Sequence, residues 1–264
     1  MKNVHSADGT TIVFDQFGQG PALIFVTGAI ATRADVVSQQ ESPSLPFTVF
    51  AYDRRGRGES GDTPPYAVER EVEDLDALIT EAGGSAFVFG HSSGAVLALE
   101  AARLLPSRIT KLAVYEPPFI VDDSRPPVPD DYVTRLTELV SSGHRGETVE
   151  YFLAKALCVP AEEIAHTRNS PMWEVMVTRA HTLAYDGAIM GDTMRGNPLS
   201  LRKWACVSVP TLVMDGGKSP AYMHYGAQAL TDVLPNARHH RFPDQDHGIP
   251  PEMLFPVLVE FFKD

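Results

Sequence analysis

The chain is poor in cysteine, short of basic charge and free of long apolar runs. Its only cysteines are Cys158 and Cys206. Two allow at most one disulfide, and the pair reads instead as reduced, largely buried thiols. Lys and Arg number 22 against 34 Asp and Glu, a formal charge of −12. So acidic a surface repels phosphate backbones and anionic lipid, which argues against nucleic-acid and membrane-surface partners. No run of about 18 apolar residues occurs, and the opening MKNVHSADGT carries no apolar leader core. The expected compartment is therefore the cytoplasm. Internal repeats and low-complexity tracts are also lacking. What is present is ordinary for a globular chain: 264 residues, 44% apolar and 21% charged, enough to bury a core without staples.

The apolar pattern alternates between strand and helix. Lys2 to His5 and Thr11 to Phe17 flank Ala7-Asp8-Gly9-Thr10, a hairpin signal. ALIFV (22–26), FTVFAYD (47–53), SAFVFG (85–90) and KLAVYE (111–116) are short apolar runs bounded by turn residues, as buried strands are. A helix is predicted from about Tyr66 to Ala82, stopped by Gly83-Gly84. Another follows SAFVFG with no loop and ends at Pro106. From Pro117 to about Ser208 no strand pattern appears. Helices are predicted near 130–140, 147–157 and 172–190. Alternation resumes with VPTLVMD (209–215), a helix near 221–233, a strand at 239–242 and a last helix over 251–262. The expected fold is α/β: a mostly parallel twisted sheet flanked by helices, with a helical lobe inserted between two strands. Residues 1–116 and 209–264 form the core of this reading, and 117–208 the inserted lobe.

Gly90-His91-Ser92-Ser93-Gly94 fits G-x-S-x-G. The pattern is weak alone, but Ser92 falls directly between a buried strand and a helix. That junction is a strained elbow that lifts a serine hydroxyl above the sheet edge. The bland alternative is a serine helix cap. An attacking hydroxyl needs a base, and His247 follows the last short strand in Phe242-Pro243-Asp244-Gln245-Asp246-His247-Gly248. A lone loop histidine is usually just solvated, yet the chain order Ser, acid, His favours the base. Asp244 and Asp246 stand too close to His247 in sequence to orient its ring, and read as solvated charges. His239 and His240 are adjacent, point to opposite faces of a strand and cannot share a metal. No metal or organic cofactor is expected.

The chain resembles the α/β-hydrolase family over nearly its whole length. The resemblance rests on GHSSG, on Asp53-Arg54-Arg55-Gly56-Arg57-Gly58-Glu59-Ser60, on PTLVMDGG and on DHG with its trailing helix. It implies that the lobe is a cap, and that the arginine-rich turn is structural rather than a phosphate cradle. It also implies an oxyanion hole built from the N–H groups of Ala29 and Ser93, although Thr27-Gly28-Ala29 departs from the family's usual His-Gly pair. The family's usual acid position, after VPTLVMD, is occupied by Ser219. Glu116, ending the strand before the lobe, is the preferred acid, as in branches that include certain lactonases and dehalogenases. Asp215 is the rival. Gly28, Ile30, Trp173 and Met176 are expected beside the substrate. The implied partner is a mainly apolar small molecule, an ester or lactone cleaved through an acyl-enzyme. Carbon–carbon hydrolysis, perhydrolase or non-haem peroxidase chemistry, lyase chemistry and a non-catalytic binder remain open, as does monomer versus homodimer.

Overall fold

The computed structural model describes residues 1–38 and 46–263. Eight strands form one sheet: β1 (Lys2–His5), β2 (Thr11–Gly18), β3 (Ala22–Val26), β4 (Thr48–Tyr52), β5 (Ala86–His91), β6 (Ile109–Tyr115), β7 (Thr211–Gly216) and β8 (Ala237–Phe242). Their order is β1-β2-β4-β3-β5-β6-β7-β8. β2 pairs antiparallel with β1 and β4, and every later pairing is parallel. The expected mostly parallel α/β sheet is what forms.

Side-chain alternation sorts the buried strand residues onto two faces. Ile24, Val26, Val88, Leu112, Val114 and Val213 face one cluster, built with α2 (Val68–Glu81), α3 (Ser93–Leu104) and α9 (Ala221–Val233). Leu23, Phe25, Phe89, Ala113, Leu212 and Met214 face the other, against α1 (Arg33–Val37) and α10 (Pro251–Lys263). Both faces are covered, which is why the central strands read as unbroken apolar runs.

Between Tyr115 and Thr211 the chain is helix, 3-10 turn and loop: α4 (Tyr132–Ser141), α5 (Arg145–Lys155), α6 (Ala161–Thr167), α7 (Pro171–Thr178) and α8 (Leu183–Met190). The continuous helix expected over 172–190 is broken. A 3-10 turn, Ala180–Thr182, separates α7 from α8. There the Thr182 hydroxyl donates to the Arg179 carbonyl at 2.9 Å, a local bond that competes with the helical ladder. Helix α6 has one buried residue, Ile164, and so carried no periodic signal. Five-residue α1 was likewise invisible; a reciprocal cap between Thr32 and Asp35 starts it. The cysteines are free and exposed, not buried as expected, because each lies in a connection beyond a helix end. No helix among the described residues is long and apolar enough to cross a membrane.

Candidate active site

The carboxyl ends of β3, β5, β6 and β8 converge, which is where parallel sheets present their ligands. Ser92 joins β5 to α3 with φ 57° and ψ −128°. That conformation costs a non-glycine residue about 1–3 kcal/mol and marks a functional constraint. Gly94 makes the elbow possible: a Cβ there would stand 2.3 Å from the Val26 carbonyl oxygen. Glu116, the residue after β6, also has positive φ (47°) and is fully buried.

Glu116 and His247 meet. His247 Nδ1 lies 2.7 Å from Glu116 Oε2. The Gly216 N–H donates to Glu116 Oε1 at 2.7 Å. Burial pushes the Glu116 carboxyl up, but the His247 ring, the neighbouring Ser219 hydroxyl and the Gly216 N–H outweigh it, and the group stays below the ordinary carboxylate range. Ser219 thus stands beside the carboxylate already in use, and an aspartate there would set a second negative charge against it. A carboxylate facing Nδ1 favours the proton on that nitrogen and leaves Nε2 as the acceptor.

The histidine loop is held from several sides. The His91 Nε2 lies 3.0 Å from the His247 carbonyl oxygen, with the two rings 4.6 Å apart. The Tyr115 hydroxyl donates to the Asp246 carbonyl. Burial, and then the neighbouring His247, push His91 down to about 3, so it adds no like charge beside His247. The Gly216-Gly217 pair lets this loop close in, since a Cβ on Gly216 would come 2.5 Å from the Gln245 carbonyl oxygen.

Asp215 does not meet His247. It is fully buried one strand over, where its carboxylate holds His224, His239 (2.6 Å) and Arg241 (3.1 Å). Its side chain leaves β7 before the chain turns toward the site, so it serves the β7–β8–α9 junction.

Ser92, Ser93, Ala29 and His247 open onto one cavity of about 210 Å³. Its walls are mostly apolar and include Tyr132, Phe152, Leu157 and Met190 from the insertion and Tyr222 and Met223 from α9. No hydrogen bond joins Ser92 Oγ to His247; both face the cavity. Among the described residues, no backbone acceptor outside the regular elements and no side-chain acceptor engages the main-chain N–H groups of Ala29 and Ser93. Trp173 and Met176, expected as pocket walls, do not line it. Trp173 packs on α5 with its Cζ2 about 3.5 Å from where a Cβ of Gly146 would sit, and Met176 lies in the core of the insertion. Ile30 is also outside: its carbonyl accepts from Arg179 Nη1 at 2.5 Å, and its backbone φ is 67°. Gly28 borders a neighbouring cavity of about 320 Å³ that reaches His247 from the other side.

The arginine-rich turn is internally consumed. Arg54 pairs with Glu71 and Asp186, and Arg55 with Asp74 and Asp8. None of its arginines is left to hold phosphate. Among the described residues no group of His, Cys, Asp or Glu is arranged to hold a metal ion.

Comparison with known proteins bears on this geometry. A family profile described as alpha/beta hydrolase family matches residues 23–255. The chain belongs to the alpha/beta hydrolase family. An alpha/beta hydrolase from Sphaerobacter thermophilus DSM 20745 is 52% identical, with a TM-score of 0.90 over 99% of this chain and 100% of that one. An esterase from Exiguobacterium antarcticum shares the fold at 19% identity, with a TM-score of 0.72 over 100% of this chain and 99% of that one. The uncharacterized hydrolase YraK of Bacillus subtilis (strain 168) is 29% identical over 41% of this chain and 42% of that protein. The chain spans about two fifths of the length of the curated relatives it matches. As an alpha/beta hydrolase, this protein departs from the pattern expected for its family at Ser219 and Thr27, and the buried Glu116 lies against His247 beside Ser219.

Proposed function

We propose that this alpha/beta hydrolase cleaves a carboxylic ester or lactone of a small, mainly apolar molecule through an acyl-enzyme. The observation that carries the reading is the 2.7 Å contact of His247 Nδ1 with buried Glu116, beside a strained Ser92 that opens onto the same apolar cavity. Substrate entry brings Ser92 Oγ and His247 Nε2 into contact, a bond that is often long without substrate. The Oγ attacks the carbonyl carbon while Nε2 takes the hydroxyl proton. Glu116 holds the ring and stabilises the imidazolium. The N–H groups of Ala29 and Ser93 donate hydrogen bonds to the carbonyl oxygen as negative charge develops on it. The imidazolium then protonates the leaving oxygen, and water, deprotonated by His247, releases the acid and restores Ser92.

The cavity of about 210 Å³ suits a short acyl chain or a small ring. Hydrolysis of a panel of short p-nitrophenyl esters, lactones and β-diketones by wild type and Ser92→Ala tests the reading. Turnover of esters or lactones that vanishes in Ser92→Ala supports it. Turnover confined to β-diketones moves the assignment to carbon–carbon cleavage, and binding without turnover moves it to a carrier.

A further inference from the structure

Asp186 comes from α8 in the insertion yet lies 4% exposed among groups of the core. Its Oδ1 accepts from Arg54 Nη1 at 2.9 Å and from Ser93 Oγ at 2.7 Å. Its Oδ2 accepts from Arg57 Nη2 at 2.7 Å. Arg57 continues onward: its Nη1 donates to the Gly28 carbonyl at 2.6 Å. Arg54 reaches the Thr27 carbonyl at 3.2 Å.

The Gly28 carbonyl and the Ala29 N–H belong to one planar trans peptide and point in opposite directions. A guanidinium that grips the carbonyl therefore sets where the N–H aims. The other donor, Ser93, is tied through its own side chain to the same carboxylate. Both arms of the oxyanion site end on Asp186. An arginine that merely neutralised Asp186 would not need the Gly28 carbonyl, and Arg57 is held here fully buried although its Nε has no partner. The loop it grips is one that needs holding, since Ile30 is in the left-handed region.

Resting on the function proposed above, we infer that Arg57 and Asp186 are positioning residues. They aim the Ala29 and Ser93 N–H groups, and through them the seating of α8 sets how well these donors stabilise a tetrahedral adduct on Ser92. The contribution is realised when negative charge develops, so its loss lowers kcat and spares KM.

The test uses the full chain, p-nitrophenyl butyrate as substrate and a trifluoromethyl alkyl ketone as probe. With the ketone, Ser92 Oγ bonds the carbonyl carbon, the hydroxyl proton passes to His247 and the carbonyl π pair becomes the oxyanion lone pair. Arg57→Lys keeps the charge but cannot span both partners. It is expected to lose about 30-fold in kcat, less than removal of a whole donor, with KM within about threefold. Ketone affinity is expected to fall by the same factor as kcat. Ser93→Ala, which keeps its N–H, is expected to move the same quantities in the same direction by about fivefold, and decides the matter if Arg57→Lys does not fold. A folded Arg57→Lys or Ser93→Ala with wild-type kcat, or with its loss confined to KM, overturns the inference. Ser92→Ala separates the two readings. If it stays active, the proposed function fails; if it is inactive while both positioning variants are normal, the positioning inference alone fails.

Discussion

Two buried carboxylates end neighbouring strands of this sheet and have opposite tasks. Glu116 follows β6, and Asp215 lies within β7; both side chains are fully buried, and both bind imidazole. Glu116 has one histidine, His247, on the loop after β8. Asp215 has two histidines and Arg241, all on the flank of the sheet. The comparison teaches that which imidazole a carboxylate meets follows the direction in which its side chain leaves the strand end, not charge or burial. At Glu116 a positive φ turns the chain toward the cleft, whereas Asp215 is still in register, opposite Arg241.

Neutralising each carboxylate in turn breaks this comparison most sharply. Glu116→Gln is expected to lower kcat by about 10³–10⁴-fold, because the amide no longer fixes the tautomer or stabilises the imidazolium. Asp215→Asn is expected to leave kcat within about threefold and to cost about 1–3 kcal/mol of stability, since its partly exposed partners can rehydrate. Steady-state kinetics and urea unfolding of the two variants measure both effects. Ser219→Asp sharpens the comparison by returning the acid to the family's usual position. In the Glu116→Gln background it is expected to recover about tenfold of the lost kcat; in the wild-type background it crowds a second charge against Glu116 and lowers stability.

A smaller effect concerns His91, held neutral beside the site. Its folded value of about 3 lies below the ordinary 6.5, so the unfolded chain binds the extra proton between these values. Its contribution to stability is complete above pH 6.5 and declines as the pH falls toward 3, by up to about 1.4 kcal/mol per pH unit. His91→Gln can keep the bond to the His247 carbonyl and is expected to flatten that slope in urea unfolding at pH 6.5, 5.5 and 4.5. The smallest change is on the insertion. Met190→Ala enlarges the cavity and is expected to raise KM several-fold, whereas Trp173→Ala leaves KM and kcat within about twofold.

Much of the fold was legible because βα alternation, buried strand runs and the Gly-Ser elbow are local signals. The contact between Glu116 and His247 was legible too: Ser219 cannot carry charge, and few carboxylates end strands near the sheet edge. The insertion was harder. A methionine or tryptophan on a short helix is apolar whether it faces a cavity or a core, so Trp173 and Met176 could not be told from Tyr132 or Met190. Asp186 gave no signal because its partners, Arg54, Arg57 and Ser93, are about 90–130 residues away in sequence. The positive φ of Ile30 and Glu116 was equally silent, since neither residue type favours it. The histidines of the Asp215 cluster look like surface residues until the topology brings them to one carboxylate.

The central claim is that Ser92 is a hydroxyl activated by His247 and Glu116. Labelling with a fluorophosphonate, followed by peptide mass analysis, tests it most directly. The account predicts one adduct, on Ser92, formed promptly in wild type and Asp215→Asn, strongly slowed in Glu116→Gln and absent in Ser92→Ala. A folded protein that takes no label, or takes it on another residue, contradicts the account.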